Sequence, residues 1–303
     1  MTVLEEIEQA ATEVAGKVGP AVVRIGRGPG RGAGVVVGEG VVVTNAHNLR
    51  GQEVTVGFAD GRSEVARVAG VDVDGDVAVL AVDTAGVAPL EWAEGTVGQG
   101  AAVFAVTRGA TGAARVSLGL VASVGQSFRG PRGRRITGSV EHTAPLPRGS
   151  SGGPVVNGAG RLVGINTNRL GEGFYQALPA DPDLKARVDA LARGESPARR
   201  WLGVALAPPQ AARHMRRAVG LAEREGLLVR HVQDDSPAGL AGIRSGDLIV
   251  AAGGREVTNL DDLYQALDAV EDDGSLGLRV VRGADELDVS VGFAATTRAE
   301  GSP

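Results

Sequence analysis

The chain has 303 residues, 43% hydrophobic and 22% charged, which is the composition of a globular protein rather than a disordered one. Its net charge of −5 argues against nucleic acid as the main partner, and its lack of cysteine excludes disulfides and thiol nucleophiles. No apolar run approaches the length of about 18 residues that a membrane span needs. The first residues lack the basic start and apolar core of a secretion signal. We therefore predict a cytoplasmic protein with no membrane span; a periplasmic or secreted protein is the alternative if a leader has been removed. No cofactor is predicted.

The first predicted element is a helix within residues 1–18, ended by Gly19-Pro20. Its apolar residues recur at helical spacing: Leu4, Ile7, Ala11, Val14 and Val18. From residue 19 to 182, short apolar runs alternate with Gly-rich or Asp-Gly turns at intervals typical of a β-barrel or β-sandwich. This region is predicted to be an all-β domain.

The pattern changes after residue 182. Asp181 is a candidate cap and Pro182 suits the first helical position, so residues 183–200 are predicted to be a helical linker. Residues 201–293 mix strands with two helix starts, at Ser236 and Asn259, and are predicted to form a smaller α+β domain. The polar tail at 294–303 is predicted to be disordered.

A serine flanked by glycines lies between two prolines in the stretch 147–157, just before an apolar strand. Glycine lets a second backbone approach closely, so the stretch suits a backbone held around one exposed hydroxyl. Acyl transfer needs that geometry, because the hydroxyl attacks a carbonyl while backbone N–H groups point at the developing oxyanion. We predict Ser151 as the nucleophile and the N–H groups of Ser151 and Gly149 as the oxyanion donors. The alternative is an ordinary Gly/Ser-rich loop.

A general base is sought among four histidines. His47 follows an apolar strand as it enters a turn, and the end of a rigid strand holds a base better than a free loop does. His142 is close to the serine in sequence, but no strand is predicted to support it. His214 and His231 lie in the C-terminal part. We predict His47 as the base, although a lone histidine is usually structural or solvated.

The acid that orients the histidine is sought in the run 71–80. Asp76 lies directly against an apolar strand, where its carboxylate can become buried, whereas Asp72 and Asp74 are interpreted as exposed turn acids. A calcium loop is discounted because the glycine it needs at its sixth position is Val77. The order base, acid, nucleophile along the chain is the chymotrypsin-type order.

Short motifs surround these three residues: Thr44–His47, Asp76–Leu80, Gly149–Pro154 and Leu162–Asn166. The C-terminal part adds three more: Arg200–Val204, Asp235–Ala238 and Ser245–Ile249. Together, over residues 15–293, they resemble the HtrA/Deg family of trypsin-like serine proteases.

The resemblance implies a mainly β protein, with a chymotrypsin-like double β-barrel protease domain at 19–182 and a smaller α+β PDZ domain at 201–293. It implies that His47, Asp76 and Ser151 form a catalytic triad. It also implies ATP-independent cleavage of misfolded or exposed polypeptides, as in protein quality control and the stress response, often within a homotrimer. The residues expected to line the substrate are Pro145, Ile165, Asn166 and Thr167.

The chain departs from the family pattern just before the serine. Ser150 stands where the family usually has Asn, and the segment 143–148 replaces its Thr-Asp-Ala and Asn-Pro pairs. Because this segment helps shape the oxyanion hole, a collapsed hole at rest is one expectation. The N-terminus lacks the aromatic residues that often join the trimer, so the number of subunits stays open.

An arginine-rich loop and a candidate peptide groove each have two interpretations. Arg129, Arg132, Arg134 and Arg135 crowd one Gly/Pro-rich loop, which is either a solvated surface or, by resemblance, a relay of PDZ occupancy to the active site. By resemblance, the backbone of Trp201, Leu202, Gly203 and Val204 binds a peptide's terminal carboxylate, and Leu263 and Leu267 line the groove. The alternative for this second stretch is a packed strand start.

Cleavage preference has one indication in the sequence. Pro145 falls where trypsin-like enzymes place the floor of the specificity pocket, and no acid is there to receive Lys or Arg, so small aliphatic residues are expected.

We predict a serine endopeptidase with a PDZ domain that binds C-terminal peptides and tethers substrate or regulates activity. The alternatives are a catalytically silent scaffold that binds C-terminal peptides and, more weakly, a small-ester hydrolase.

Overall fold

The computed structural model describes residues 2–27, 32–109, 112–130, 134–171, 173–197, 200–207, 209–221, 223–270 and 274–293. The chain divides into two compact units, Met1–Pro197 and Ala198–Pro303. Within the described ranges, every helix is too short or too polar to cross a membrane. The tail at 294–303 lies outside the described residues.

The first unit begins with the predicted helix, Val3–Val18 (α1), which is confirmed and starts with a capping box. Its predicted apolar face is buried only in the C-terminal half, at Val14 and Val18. Leu4 and Ile7 are exposed, because no other part of the described chain covers the first turns of the helix. The apolar spacing therefore predicted the helix correctly but not how much of it packs.

Six short strands follow and close into a barrel in the order β1-β2-β3-β6-β5-β4. They are Val22–Ile25 (β1), Ala33–Gly38 (β2), Val41–Thr44 (β3), Glu53–Gly57 (β4), Ser63–Asp72 (β5) and Val77–Ala81 (β6). Valine dominates them, and fully buried valines such as Val35, Val43 and Val56 fill the interior. β-branched side chains suit this packing because they lose little rotamer freedom on a pleated surface.

A second barrel has the same closed winding, in the order β7-β8-β9-β12-β11-β10. Its strands are Ala102–Arg108 (β7), Ala114–Arg129 (β8), Arg135–His142 (β9), Pro154–Val156 (β10), Leu162–Gly171 (β11) and Phe174–Pro179 (β12). The pairing register between β11 and β12 shifts at two places, between Asn166 and Asn168 and between Arg169 and Gly171. The two barrels confirm the all-β interpretation of this region.

The predicted helix after the barrels is confirmed as Pro182–Ala192 (α2), capped by the Asp181 side chain. It packs closely on β5, since a Cβ added to Gly70 would lie 2.5 Å from the carbonyl oxygen of Leu191. The chain that leaves α2 also stays on β5, where the N–H of Val71 donates to the Ser196 hydroxyl at 3.0 Å. The end of the first unit is thus attached to the hairpin β5–β6.

The second unit has a sheet in the order β13-β14-β15-β17-β18, with β16 beside β15. Its strands are Val204–Leu206 (β13), Leu227–Val232 (β14), Leu248–Ala252 (β15), Arg255–Glu256 (β16), Ser275–Arg282 (β17) and Asp285–Gly292 (β18). The predicted helix starts are confirmed as Pro237–Leu240 (α4) and Leu260–Asp268 (α5). A further helix, Pro209–Ala218 (α3), was not predicted, because its apolar side chains are few and mostly alanine among several arginines, so no large apolar stripe marks it.

Candidate active site

His47 lies in a single 3₁₀ turn, Ala46–Asn48, which directly follows strand β3. Its Nδ1 atom is 2.9 Å from both carboxylate oxygens of Asp76. Its backbone N–H donates to the same carboxylate at 3.1 Å. With the carboxylate ionised, Nδ1 carries the hydrogen and Nε2 is left as the basic nitrogen.

Asp76 is held firmly at the start of β6. Its side chain is 1% exposed, and its second carboxylate oxygen also accepts a hydrogen bond from the Thr167 hydroxyl at 2.7 Å. Its backbone has φ of 54°, a left-handed conformation that costs free energy for most residues and that aspartate tolerates better. The Asn45 amide donates to its carbonyl at 3.0 Å and helps to maintain this turn. Strain of this kind persists only where surrounding contacts fix it.

The interpretation of Asp72 and Asp74 as exposed turn acids is wrong. Asp72 is 12% exposed in its side chain and pairs with Arg187 of α2 at 3.2 Å. Asp74 is half-buried and pairs with the Arg134 Nε atom at 3.0 Å. Both cationic partners come from segments distant in sequence, so the local pattern could not indicate them. The turn that carries Asp76 is therefore anchored by two ion pairs.

Ser151 lies in the turn before β10, with its hydroxyl 2.9 Å from the carbonyl oxygen of Thr167. Its own carbonyl accepts hydrogen bonds from the N–H of Ala33 at 2.8 Å and the Asn48 amide at 2.9 Å. Within the described residues, no hydrogen bond joins the Ser151 hydroxyl to His47. Thr167 thus connects the two halves of the site, since its carbonyl binds the serine and its hydroxyl binds Asp76.

The turn before Ser151 has the shape that an oxyanion site needs. Gly149 has φ of 84° at the third position of the turn 147–150, which matches a type II turn. The Ser150 hydroxyl closes this turn by donating to the Pro147 carbonyl at 2.7 Å. Across the ranges that the structure describes, the N–H groups of Gly149 and Ser151 have no hydrogen-bond partner. They are available to an oxyanion.

Gly152 lets the serine turn approach the first barrel. Its φ is 90°, and a Cβ at this position would lie 2.1 Å from the Ala33 carbonyl oxygen. Only glycine fits such a contact. The close approach explains why glycine follows the serine.

His142 was predicted to lack a supporting strand, and this is wrong, because it is the last residue of β9. The imidazole is fully buried, its Nε2 atom lies 2.9 Å from the Asn166 amide oxygen, and its ring stacks on Tyr175. Burial lowers the pKa of His142, and the Asn166 hydrogen bond opposes this only in part. Its Nδ1 atom has no hydrogen-bond partner in the described part of the chain. His214 and His231 lie in the second unit, on α3 and β14.

The residues predicted to line the substrate differ in their exposure and in their hydrogen bonds. Pro145 is exposed, and its carbonyl accepts a hydrogen bond from Ser117 at 2.6 Å. Ile165 is buried in the core of the barrels. The Asn166 amide donates to the Gly153 carbonyl at 3.1 Å, and Thr167 connects Ser151 to Asp76.

Three residues near the serine were missed by the sequence analysis: Leu146, Arg169 and Tyr175. The Arg169 guanidinium donates to the Leu146 carbonyl and lies over the Tyr175 ring at 5.1 Å from its centroid. Their nearness in sequence to predicted residues was the available signal, because Leu146 directly follows Pro145 and Arg169 comes two residues after Thr167.

The arginine-rich loop is only partly described, and Arg132 lies outside the described residues. Arg129 and Arg135 face each other across the β8–β9 hairpin. Arg134 has a side chain 15% exposed and binds Asp74. At Arg134, therefore, the solvated-surface interpretation is wrong.

The candidate peptide site in the second unit lies at the free edge of its sheet, next to β13. The carbonyls of Leu202 and Gly203 accept hydrogen bonds from Ala238 and Gln233, each at 2.9 Å. The N–H groups of Leu202 and Gly203 have no partner among the described residues. Trp201 is exposed beside them. An edge strand with free N–H groups can accept an added strand.

The predicted groove residues Leu263 and Leu267 on α5 are 2% and 3% exposed and pack in the core with Leu202. Leu260 and Tyr264, on the same helix, are half-buried at the border of that core. The sequence analysis did not single out these two residues.

Two parts of the chain match family models. Residues 32–165 match the trypsin-like peptidase domain, and residues 228–282 match the PDZ domain. The putative serine protease HhoA of Synechocystis sp. is 31% identical over 298 residues, which cover 92% of this chain and 74% of that protein. The chain belongs to the HtrA/Deg family of trypsin-like serine proteases.

Other comparisons agree with HtrA/Deg membership. A probable periplasmic DegP-like serine endoprotease of Halomonas elongata is 29% identical over 270 residues, covering 86% of the chain and 55% of the relative. The chain spans about half the length of several such relatives. The HtrA-type protease AlgW, solved with a decapeptide, matches with a TM-score of 0.65 at 21% identity, covering 97% of this chain and 99% of that one. The fold is confirmed as a chymotrypsin-like double barrel with one PDZ domain.

The predicted cytoplasmic location is wrong for this HtrA/Deg protein. Its relatives are named as periplasmic in Halomonas elongata and Brucella suis, and as chloroplastic in Arabidopsis thaliana. A compartment is assigned by targeting segments that are read apart from the folded domains. The composition and charge of those domains could not indicate it.

Proposed function

We propose that the chain is an ATP-independent serine endopeptidase that cleaves misfolded or exposed polypeptides through an acyl-enzyme. The observation that carries the proposal is a continuous hydrogen-bond network. His47 binds Asp76, the Thr167 hydroxyl donates to Asp76, and the Ser151 hydroxyl donates to the Thr167 carbonyl. In this proposal His47 is the base, Asp76 orients it, and Ser151 is the nucleophile. Their positions at the ends of separate elements of two barrels favour the enzyme over a silent scaffold.

The reaction begins when the Ser151 hydroxyl turns from the Thr167 carbonyl toward the Nε2 atom of His47. Side-chain rotations of this kind are fast compared with typical turnover. His47 accepts the proton as the serine oxygen bonds to the substrate carbonyl, and the buried Asp76 stabilises the imidazolium. His47 then donates the proton to the leaving amine, and water releases the acyl group by the same steps.

The developing oxyanion is bound by the N–H groups of Gly149 and Ser151, which are otherwise without partners in the described chain. The resting hydrogen bond from Ser151 to Thr167 keeps the hydroxyl away from its base. This supports a resting enzyme that is not fully activated. Substrate binding or an effector would then shift the hydroxyl into place.

The PDZ domain is proposed to bind C-terminal peptides at the edge of β13, with the terminal carboxylate on the N–H groups of Trp201–Val204. An apolar last side chain would lie against α5, where Leu263 and Leu267 are joined by Leu260 and Tyr264. Occupancy is proposed to reach the active site through the loop at 129–135. The Arg134–Asp74 ion pair supports this route, because Asp74 is two residues from Asp76. A homotrimer is proposed on the family resemblance alone.

A fluorophosphonate probe tests the proposed activity, because it reacts covalently only with an activated serine. We expect labelling of the parent protein and none of Ser151→Ala, with casein cleavage lost in parallel. A peptide ending in an apolar residue should increase both signals in the parent. A folded parent that neither labels nor cleaves, with or without peptide, would support the silent scaffold instead.

A further inference from the structure

A positively charged side chain, Arg169, lies on the strand whose Thr167 carbonyl binds the candidate nucleophile. The Arg169 guanidinium donates to the Leu146 carbonyl, approaches the Tyr175 hydroxyl at 3.4 Å and covers the Tyr175 ring. In the part of the chain that the structure describes, no carboxylate forms an ion pair with it, and its Nε and Nη1 atoms make no hydrogen bond. Its charge and several of its donors are therefore available to another molecule.

The position of Arg169 follows from its two neighbours in the fold. It comes two residues after Thr167, whose carbonyl holds the Ser151 hydroxyl at 2.9 Å. Leu146 comes five residues before Ser151, and its carbonyl binds Arg169 directly. The segments 145–150 and 167–169 therefore flank Ser151 and are adjacent to each other. The substrate residue that supplies the acyl carbonyl is here called the acyl-side residue; when its carbonyl is at Ser151, its side chain would be close to these two segments.

We propose that Arg169 is a specificity-determining residue that selects an acidic acyl-side residue, glutamate or aspartate. This inference rests on the proposed endopeptidase activity. A guanidinium recognises a carboxylate through charge-assisted and often paired hydrogen bonds. The Tyr175 ring and the Leu146 carbonyl already orient the side chain, so less conformational freedom is lost when a substrate binds.

The same geometry disfavours the small aliphatic preference expected from Pro145. Pro145 is exposed and its carbonyl binds Ser117, so the buried neighbour that faces β11 is Leu146. An aliphatic side chain placed here would remove water from the guanidinium without giving it a hydrogen-bond acceptor, which costs free energy. A basic side chain would add charge repulsion. A carboxylate compensates the desolvation.

Quenched-fluorescent peptides that differ only in the acyl-side residue (Glu, Gln, Val or Lys) test the proposal. Their C-termini are amidated so that no terminal carboxylate reaches the PDZ domain. We expect the parent to favour Glu over its neutral isostere Gln by about tenfold or more in kcat/KM, the range of one charge-assisted hydrogen bond. The preference should decrease as salt is added, because the guanidinium is partly exposed.

Variants of Arg169 make the test specific. Arg169→Leu should abolish the preference for Glu, Arg169→Lys should retain it more weakly, and Arg169→Glu should reverse it toward Lys. Arg161→Leu is the matched control, because Arg161 directly precedes the same strand and its guanidinium forms ion pairs with Glu91 and Glu94. A structural role alone would not reverse the charge preference. Thermal unfolding and fluorophosphonate labelling show whether each variant is folded.

The outcomes separate the two proposals. A parent that labels with the probe but prefers Val, with no change in Arg169→Leu, overturns this inference alone and supports the aliphatic preference. A parent that neither labels nor cleaves any substrate, with or without a separate peptide ending in an apolar residue, contradicts the endopeptidase proposal and this inference with it. Equal loss of all substrates in Arg169→Lys and Arg169→Leu would indicate a structural residue and also overturn the inference.

Discussion

The two barrels have the same strand winding, yet they present their site residues in different ways. In the first barrel, His47 and Asp76 already make the contacts that catalysis requires. In the second, the Ser151 hydroxyl points to the Thr167 carbonyl and not to the base. The base and the acid are thus assembled in advance, whereas the nucleophile must turn.

Burial accounts for the difference between the barrels. Asp76 is 1% exposed, so a carboxylate without its donors would be costly, and the fold supplies donors from several elements. The turn before Ser151 has exposed residues at Pro147 and Arg148 and is closed by a side-chain hydrogen bond. Ser150 is buried, whereas the exposed residues Pro147 and Arg148 leave the outer part of that turn less restrained. Activation is therefore more easily controlled on the serine side.

The largest effect should come from Asp76→Asn. Asparagine also tolerates the left-handed backbone, so the turn should keep its shape while the orienting charge is lost. We expect casein cleavage to decrease by a factor on the order of 10⁴, as for comparable triads. Asp74→Asn, two residues away, is the control and should lose far less. Similar losses in the two variants would contradict a special role of Asp76.

Removing the donor from Thr167 should have the next largest effect. Thr167→Val deletes the hydroxyl that binds Asp76 at 2.7 Å but keeps the carbonyl that binds Ser151. Loss of a hydrogen bond to a buried charge costs about 1.5–3 kcal/mol, so kcat/KM should decrease roughly 10- to 100-fold. Thr167→Ser should recover most of the activity. If Thr167→Val is as active as the parent, or Thr167→Ser is as slow as Thr167→Val, the role assigned to the hydroxyl is wrong.

The arginine loop should affect regulation more than chemistry. Arg134→Ala breaks the ion pair with Asp74, so a PDZ-binding peptide should activate this variant less than the parent. The coupling can reach about 1–3 kcal/mol, or roughly 5- to 150-fold in the parent. Arg135→Ala is the control, because Arg135 lies in β9 and pairs in register with Arg129. Full peptide activation of Arg134→Ala would exclude this route.

The smallest expected effect is a pH dependence of the free energy of unfolding, caused by His142. Burial lowers its pKa in the folded state, below its ordinary value of 6.5. The unfolded chain therefore binds the proton more readily, and the free energy of unfolding should decrease as pH falls below about 6.5, until the folded-state pKa is reached.

The pH effect is measured in a Ser151→Ala background, which prevents self-cleavage during denaturant unfolding. His142→Gln keeps an N–H donor for Asn166 and does not titrate, so its stability should depend less on pH between 7.5 and 5. His214→Gln, at an exposed position on α3, should retain the dependence of the parent. An identical pH profile for His142→Gln and the parent would show that His142 does not contribute.

Much of the fold was predictable from the sequence, because its elements are specified locally. Apolar spacing indicated α1 and α2, Ser236 and Asn259 marked the starts of α4 and α5, and valine runs indicated the strands. The candidates His47, Asp76 and Ser151 were found because each lies next to a strand or a glycine turn with its own sequence pattern. Helix α3 was missed because its apolar side chains are few and mostly alanine, so the sequence shows no large apolar stripe there.

Only the tertiary structure revealed the partners of these residues. Thr167 lies between Asp76 and Ser151, Arg187 binds Asp72, and Arg134 binds Asp74, although each pair is distant along the chain. The stacking of His142 on Tyr175 likewise depends on how the strands of the second barrel pair. Hydrogen bonds and ion pairs act over a few ångströms in space, whereas sequence patterns report only neighbours along the chain. Local chemistry therefore indicated which residues were candidates, and barrel closure decided what each one contacts.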